Sequence, residues 1–551
     1  MPATVAFRGD HAVPPGQHHV PSPRSSRRAS PLPRQRPAPG RRQPRALAEP
    51  GLWGLDAEWA RLLAEAPTLR LPRVEPAARP PLTRSAAAPT ARHRRRSFVT
   101  FYARRPLEQV RWRPALVLAA LAPLTVLLTW KMISLTGDIL LNLYGLGVLL
   151  ALFTTFFLAF GFYTDPATDR AASQVTPSQL PRVSFLVAVK DEVADIERCV
   201  RSMASSQYPK LEVIVIDDAS TDGTSAVLDR LARELPVRVI HLRDNVGKKR
   251  ALVEAFRHST GEVIVFTDSD CVIAPDAVAH AVRAIVAHPD IGGVSGHARA
   301  LNPDVNLFTR VQDVWYDSQF GIAKAAESVF GSVSCVSGPL AAFRREAIAP
   351  YLPAWAADRF AGAEFRFATD RQLTGYVLGQ YWVGRKLRHR HREDPLVVPA
   401  HQDRAWRVEY VRSARVWTNV PHRARSFFRQ QARWKKSFIR NLFFTGTFYW
   451  RRGVVPAALF YGHILWVLLA PVMAFRHLVW LPLHAAWMVT VLYLLGIFFK
   501  GGVWAVGYRA QNPGCRRWRY RPLMSMTSTL LLSWLLPYSA LTLRRSVWFR
   551  G

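Results

Sequence analysis

Five aspartates and one basic-aromatic run carry the chemistry legible in this chain. Asp217 and Asp218 stand side by side, Asp268 and Asp270 are separated by one serine, and Asp370 stands alone after Ala368 and Thr369. Adjacent carboxylates repel unless a ligand, cation or donor array uses them. Asp217 and Asp218 therefore read as a nucleotide site, with Asp218 taking uracil or ribose contacts; Ser220 and Asp222 just after are explained by helix capping alone. Asp268 and Asp270 form a D-x-D arrangement able to offer oxygen ligands to a hard divalent ion. Such an ion bridges phosphate oxygens and steadies a departing nucleoside diphosphate. Gly247-Lys248-Lys249-Arg250 opens a helix with positive charge against its dipole, a placement that an anion such as pyrophosphate would relieve. Finally, Gln430-Gln431-Ala432-Arg433-Trp434 is a Q-x-x-R-W run close to a strongly apolar C-terminal region.

These residues need a scaffold, and the pattern supplies one. Apolar runs at Val183–Val189, 211–216 and 262–266 read as buried strands, and helical periodicity fills 192–206, 221–235 and 248–258. This is the rhythm of a doubly wound α/β domain, whose ligands sit beyond the carboxyl ends of the strands. Both carboxylate pairs fall at such ends.

Apolar runs flank this middle region. Those at 114–130 and 139–162 are each near the ~20 residues that cross a bilayer, with a polar turn between them. Arg104, Arg105, Arg111 and Arg113 precede the first, which predicts a hairpin with both ends cytoplasmic. Further runs lie at 454–474, 478–499 and 523–543. Three crossings there would leave Arg544, Arg545 and Arg550 outside, against the charge rule, so a re-entrant stretch or an additional crossing is expected.

The chain has 551 residues and a formal charge of +35. The excess lies in the head and beside the apolar runs, which points to anionic lipid and sugar nucleotides as partners and away from nucleic acid. Residues 1–105 are rich in Pro, Arg and Ala and read as a disordered cytoplasmic tail. The four cysteines show no C-x-x-C pair, and His241, His258, His280 and His288 show no metal spacing. The division expected is thus a tail to 105, a membrane hairpin over 106–165, a cytosolic domain over 180–400, interfacial helices over 401–452 and a membrane region over 453–551.

Together these motifs resemble the inverting family 2 glycosyltransferases, and within them the processive membrane synthases of hyaluronan, chitin and cellulose type. The resemblance spans roughly 110–551. It is carried further by Ser334-Cys335-Val336-Ser337-Gly338-Pro339-Leu340, by Ala368-Thr369-Asp370-Arg371-Gln372-Leu373-Thr374, and by Leu541-Thr542-Leu543 leading to Trp548-Phe549-Arg550-Gly551. Lipooligosaccharide-type chitin synthases share much of this. The resemblance implies a glycosyltransferase-A (Rossmann-like) α/β domain held between transmembrane helices, multi-pass in a bacterial plasma membrane with its catalytic part cytoplasmic.

By the same resemblance Asp370 is the general base that deprotonates the acceptor hydroxyl, and displacement from an α-linked UDP-sugar gives a β-linkage. Asp217, Asp218, Lys248, Lys249, Asp268, Gln430, Arg433 and Trp434 are expected to bind donor. Cys335, Ser337, Gly338 and Trp434 are expected to bind acceptor, Asp268 and Asp270 to hold Mg2+ or Mn2+, and Trp548 and Arg550 to close a channel mouth. Where the family commonly has an acid directly before the base, this chain has Thr369, which leaves pKa tuning and acceptor choice open. UDP-N-acetylglucosamine, with or without UDP-glucuronate, is the expected donor, and the growing polysaccharide the further partner. A chitin- or cellulose-type synthase, a single-addition transferase on a lipid carrier, and an inactive lipid-binding scaffold are the competing readings.

Overall fold

The computed structural model describes residue 130, residues 137–367 and residues 369–544. The basic tail, nearly all of the 114–130 run, and Trp548 and Arg550 lie outside the described residues.

The middle region is built on strands β1 (Val183–Val189), β2 (Leu211–Asp217), β3 (Val237–His241), β4 (Val263–Thr267), β5 (Cys271–Ile273), β6 (Ile291–Ala300) and β7 (Ala341–Arg344). A two-stranded hairpin, β8 (Arg359–Phe360) with β9 (Ala363–Glu364), and a long final strand, β10 (Arg407–Thr418), complete the set. The main sheet runs β3-β2-β1-β4-β7-β6-β10-β5. Its first four strands are parallel, as expected for a doubly wound half. Beyond β4 the pattern changes: β7 runs antiparallel to β4 and β6, while β10 pairs parallel to β6 and antiparallel to β5. The sheet is therefore mixed.

Every side chain of β1 and β4 is buried, which is what a run of apolar residues demands when helices cover both faces of a sheet. The helix Ile196–Ala204 shows the matching logic. Its Ile196, Cys199, Val200 and Met203 recur at helical spacing and are buried on one stripe, with Arg198 and Arg201 on the other side.

Residues 407–418 depart from the expectation of interfacial helices over 401–452. Val408, Tyr410, Val411, Ala414 and Val416 are buried against β6 and its surroundings, so the β-branched and aromatic residues there form a core strand. Only the latter part of that span is helical, as Ala424–Thr445, which carries Gln430, Arg433 and Trp434.

Among the described residues three helices are long and apolar enough to cross a membrane: Ile139–Phe162, Val454–Leu483 and Trp487–Gln511. The second runs through the position where a break between 474 and 478 was expected. Arg476, which falls in that gap, pairs with Asp138 at 2.6 Å, and Asp138 in turn caps Ile139–Phe157 by accepting from Leu141 N at 2.9 Å. With its charge matched, Arg476 does not end the helix; the turn comes after Leu483, where Ala485 takes φ +59°. The expected run at 523–543 is helical over Arg521–Thr527 and Ser528–Leu532 and again over Leu535–Leu541, with a turn at 533–534 between them.

Candidate functional site

A cavity of about 1240 Å³ lies beyond the carboxyl end of β4. Asp268 follows β4 directly, and Cys271 N donates to its carbonyl at 3.2 Å, closing the turn that starts β5. That turn aims Asp270 toward Thr418, the last residue of β10, whose hydroxyl lies 3.4 Å from Asp270 Oδ1. The candidate ligand atoms of Asp268, Asp270 and Cys271 fall within 4.8 Å of one another. Burial, and then the neighbouring Asp268 charge, push the Asp270 carboxyl up to about 6. Two crowded carboxylates that resist joint ionisation are what a hard divalent cation relieves, so the donor set fits Mg2+ or Mn2+. Cys271 is the poorest donor of the three for such an ion, because its soft sulfur suits Mg2+ and Mn2+ less than carboxylate oxygen does.

Lys248 Nζ contacts Asp268 Oδ1 and lines the cavity. Burial works against its charge, but the Asp268 carboxylate outweighs this and holds the lysine above its ordinary pKa. Opposite, Gly338 leaves room for Asp268. A Cβ there would sit 2.8 Å from Asp268 Oδ2, too close for any side chain without displacing the carboxylate. Gly338→Ala is expected to weaken divalent-ion affinity by about 10- to 100-fold, the range typical of disturbed ligand support. Calorimetric titration of Mn2+ measures it, and an unchanged affinity would show that Asp268 is not a ligand.

The segment 335–339 links this acid pair to Asp370, which stands at the start of the helix Thr369–His389. Thr374 Oγ1 donates to Asp370 O and accepts from Val336 N, both at 2.8 Å. Ser337 N donates to Ser295 Oγ at 3.3 Å, and Thr267 Oγ1 to Pro339 O at 2.7 Å. Asp370 Oδ1 accepts from Arg371 N at 2.8 Å, while Cys335 Sγ lies 3.5 Å from Oδ2. The Cys335 thiol is pushed up to about 11 by burial and by Asp370, so it stays neutral beside the carboxylate. One Asp370 oxygen is thus oriented, and the other faces only a weak donor.

From the far wall the helix Ala424–Thr445 contributes Gln430, Arg433 and Trp434. Trp434 lies near Trp315 and Tyr316, with ring centroids 5.7 and 6.1 Å away, an aromatic platform for a sugar face. Burial lowers the Arg433 pKa, while Asp268 favours its charged form. Gln430 Oε1 and Gln431 Nε2 are buried without a hydrogen-bond partner among the described residues. Both residues line the cavity, where water or a polar ligand can satisfy them.

Three expected donor contacts are elsewhere. Asp217 accepts from Ser220 N at 3.0 Å and Ser225 Oγ at 2.5 Å, and lies 3.0 Å from His241 Nδ1. Asp218 accepts from Val246 N at 2.7 Å and Gly247 N at 2.9 Å. It therefore clamps the turn before Lys248, where Gly247 takes φ +85°, and acts on the cavity through that lysine. Lys249 is buried and bound to Phe365 O at 2.8 Å, Gln372 Oε1 at 2.6 Å and Asp358 Oδ2 at 3.3 Å. None of the three lines the cavity. Strand-end aspartates and a basic helix start look alike in sequence whether they meet ligand or backbone.

Asp358 also pairs with Arg440 at 2.5 Å, so one buried carboxylate serves two buried cations. Asp358→Ala leaves both uncompensated and is expected to cost about 3–5 kcal/mol. Thermal inactivation of the purified protein would report it, and an unaltered inactivation temperature would contradict the assignment.

Cavity residues that sequence reasoning passed over include Trp315, Tyr316, Thr418 and Lys435. Thr418 had a signal in the alternating β-formers of 407–418; Trp315 and Tyr316 sit in an ordinary amphipathic helix that gives none.

Residues 184–352 match the model of glycosyl transferase family 2. This part of the chain is a family 2 glycosyltransferase domain. Its mixed sheet is GT-A-like, and β10 extends the family 2 domain's sheet beyond the matched residues. A hyaluronan synthase from Streptococcus pyogenes is 27% identical over 336 residues, covering 60% of this chain and 72% of the relative. An N-acetylglucosaminyltransferase from Bradyrhizobium diazoefficiens is 31% identical over 287 residues, 51% of this chain and 54% of its own length. Another, from Azorhizobium caulinodans, is 33% identical over 265 residues, 47% and 60% of the two chains. Among solved structures, a mannosyltransferase from Pyrobaculum calidifontis in complex with GDP-Man and Mn2+ aligns at TM-score 0.43 and 21% identity, over 73% of this chain and 98% of that one.

Proposed function

We propose that the chain is a membrane-embedded inverting synthase that extends a β-linked, hyaluronan-like polysaccharide from UDP-sugar donors and passes the product out through its own helices. The observation that carries this reading is the reach of one cavity. Its wall includes Asp268, Asp270 and Asp370, and also Tyr144, Trp466 and Trp504 from the three candidate membrane spans. A single-addition transferase has no use for a binding path that leads from the reacting carboxylates to membrane helices.

In this reading Asp370 Oδ2 takes the proton of the acceptor hydroxyl as its oxygen attacks the anomeric carbon, and Cys335 forms a neutral wall beside it. Trp434, with Trp315 behind it, holds the acceptor sugar by stacking. Arg433 and Lys248 offset the negative charge of the departing diphosphate. Asp268 and Asp270 would hold Mg2+ or Mn2+, which when bound would add its positive charge to that of Arg433 and Lys248. The curated relatives named hyaluronan synthase and N-acetylglucosaminyltransferase support a UDP-sugar donor, with N-acetylglucosamine among the sugars. Anionic lipids around a plasma-membrane protein with a cytoplasmic transferase domain fit the basic charge.

A chitin-type product from one donor is the second reading, favoured by the Bradyrhizobium and Azorhizobium relatives. Radiolabelled polymer formation by the purified protein in nanodiscs separates the two. Long product only with UDP-N-acetylglucosamine plus UDP-glucuronate supports the hyaluronan type, and product with the first alone supports the chitin type. Absence of polymer under every donor combination, with UDP still bound, would remove the synthase reading.

A further inference from the structure

The membrane-facing wall of the cavity carries two cations without a counter-charge. Lys500 lies within the helix Trp487–Gln511, and Arg521 begins Arg521–Thr527. These helices touch: a Cβ at Gly501 would fall 2.6 Å from Pro522 Cα and 3.0 Å from Ser525 Oγ. Lys500 and Arg521 flank that contact in sequence. Trp504, one turn beyond Lys500, has its ring centroid 4.8 Å from the Arg521 guanidinium carbon. Lys500, Arg521, Trp504 and Ser525 all line the cavity.

Arg521 is 4% exposed; among the described residues its Nε has no hydrogen-bond partner, and its Nη1 donates to Ser525 Oγ at 3.3 Å. Among the described residues no carboxylate pairs with either cation. Two like charges in a membrane-spanning region are costly, and unmatched ones mark a site that an anion completes. The same wall offers the hydroxyls of Ser528 and Thr529 and the rings of Trp504 and Trp466, a lining suited to sugars. Nearer to Asp370, Arg371 and Lys435 line the same cavity, and no carboxylate pairs with Lys435 among the described residues. Cations at two places along one path fit a chain that bears its negative charge at intervals.

We propose that Lys500 and Arg521 form an anion subsite within the cavity that takes the carboxylate of an acidic sugar in the bound glycan. It rests on the reading that the cavity holds a hyaluronan-like, acidic glycan, and it adds the residues that take its carboxylate. A carboxylate there accepts from both side chains and supplies the partner that Arg521 Nε lacks.

The test uses the full chain in nanodiscs of zwitterionic lipid. Binding of a hexasaccharide of alternating uronic acid and N-acetylhexosamine is compared with that of a neutral N-acetylglucosamine hexasaccharide by tryptophan fluorescence. The acidic ligand is expected to bind about tenfold more tightly, an effect the size of one charge-assisted contact. Lys500→Gln and Arg521→Gln should erase the difference, and Lys500→Arg should retain it. Equal affinities in the unaltered protein, or a difference that survives both glutamine variants, would overturn the proposal. Repeating the titration with phosphatidylglycerol in the nanodisc separates the sources. Loss of the acidic preference there, with phospholipid that co-purifies with the unaltered protein but not with Lys500→Gln, would assign the site to lipid phosphate and also overturn it. Polymer yield from the same preparations keeps the two readings apart: polymer without acidic preference removes only the subsite, and acidic preference without polymer removes only the synthase.

Discussion

Asp370→Asn is expected to lower sugar transfer by about 100- to 10,000-fold, while UDP affinity stays within about twofold. The substitution keeps the shape of the side chain, and its amide oxygen can still accept from Arg371 N as the carboxylate does at 2.8 Å. What it removes is the ability to take a proton. Thr374, which ties Asp370 O to Val336 N, is untouched, so segment 335–339 and Gly338 should remain in place against Asp268. Radiolabelled transfer and calorimetric UDP binding, run on one preparation, separate chemistry from binding. Normal turnover in this variant would remove Asp370 as the base.

Asp270→Asn should produce a loss of about 1000-fold in transfer, matching the several kcal/mol that a divalent ion contributes to stabilising charge on a leaving group. Chelation of divalent ions from the unaltered protein should give a loss of similar size. The two treatments should not add, because each removes the same charge. A variant whose transfer retains the unaltered dependence on Mn2+ concentration would exclude Asp270 as a ligand. Asp270 is the more sensitive of the acid pair: burial and Asp268 already push its carboxyl up to about 6, whereas Asp268 also has Lys248 beside it.

The parallel half of the fold was legible in sequence because it needs only local information. The apolar runs of β1, β2 and β4 and the stripe Ile196, Cys199, Val200 and Met203 report their own burial. The cavity wall was legible as motifs: Asp268, Asp270, Cys335, Gly338, Asp370, Gln430, Arg433 and Trp434 all border one cavity. Partnering was not legible. Asp218 and Lys249 have the residue types of a nucleotide site, yet they meet backbone amides and a buried carboxylate, and only spatial neighbours distinguish those outcomes. Strand β10 was lost for another reason: Arg407, Arg412 and Arg415 broke its apolar pattern, although Arg407 pairs with Glu409 and Arg412 Nη2 donates to Gly321 O at 2.9 Å.

The place of β10 in the chain sets an order of assembly. Thr418 meets Asp270 across 148 residues, and the strand that brings it there follows the Asp370 helix. A ribosome that has released residues up to 400 has delivered Asp268, Asp270 and Asp370 but not the strand that walls in Asp270. Closing a loop of this length is entropically slow compared with local helix formation. The nascent transferase thus passes through a stage in which its parallel strands can pair while its acid pair is still open to solvent. That stage ends only when synthesis has almost reached Val454, the start of the next membrane-crossing helix.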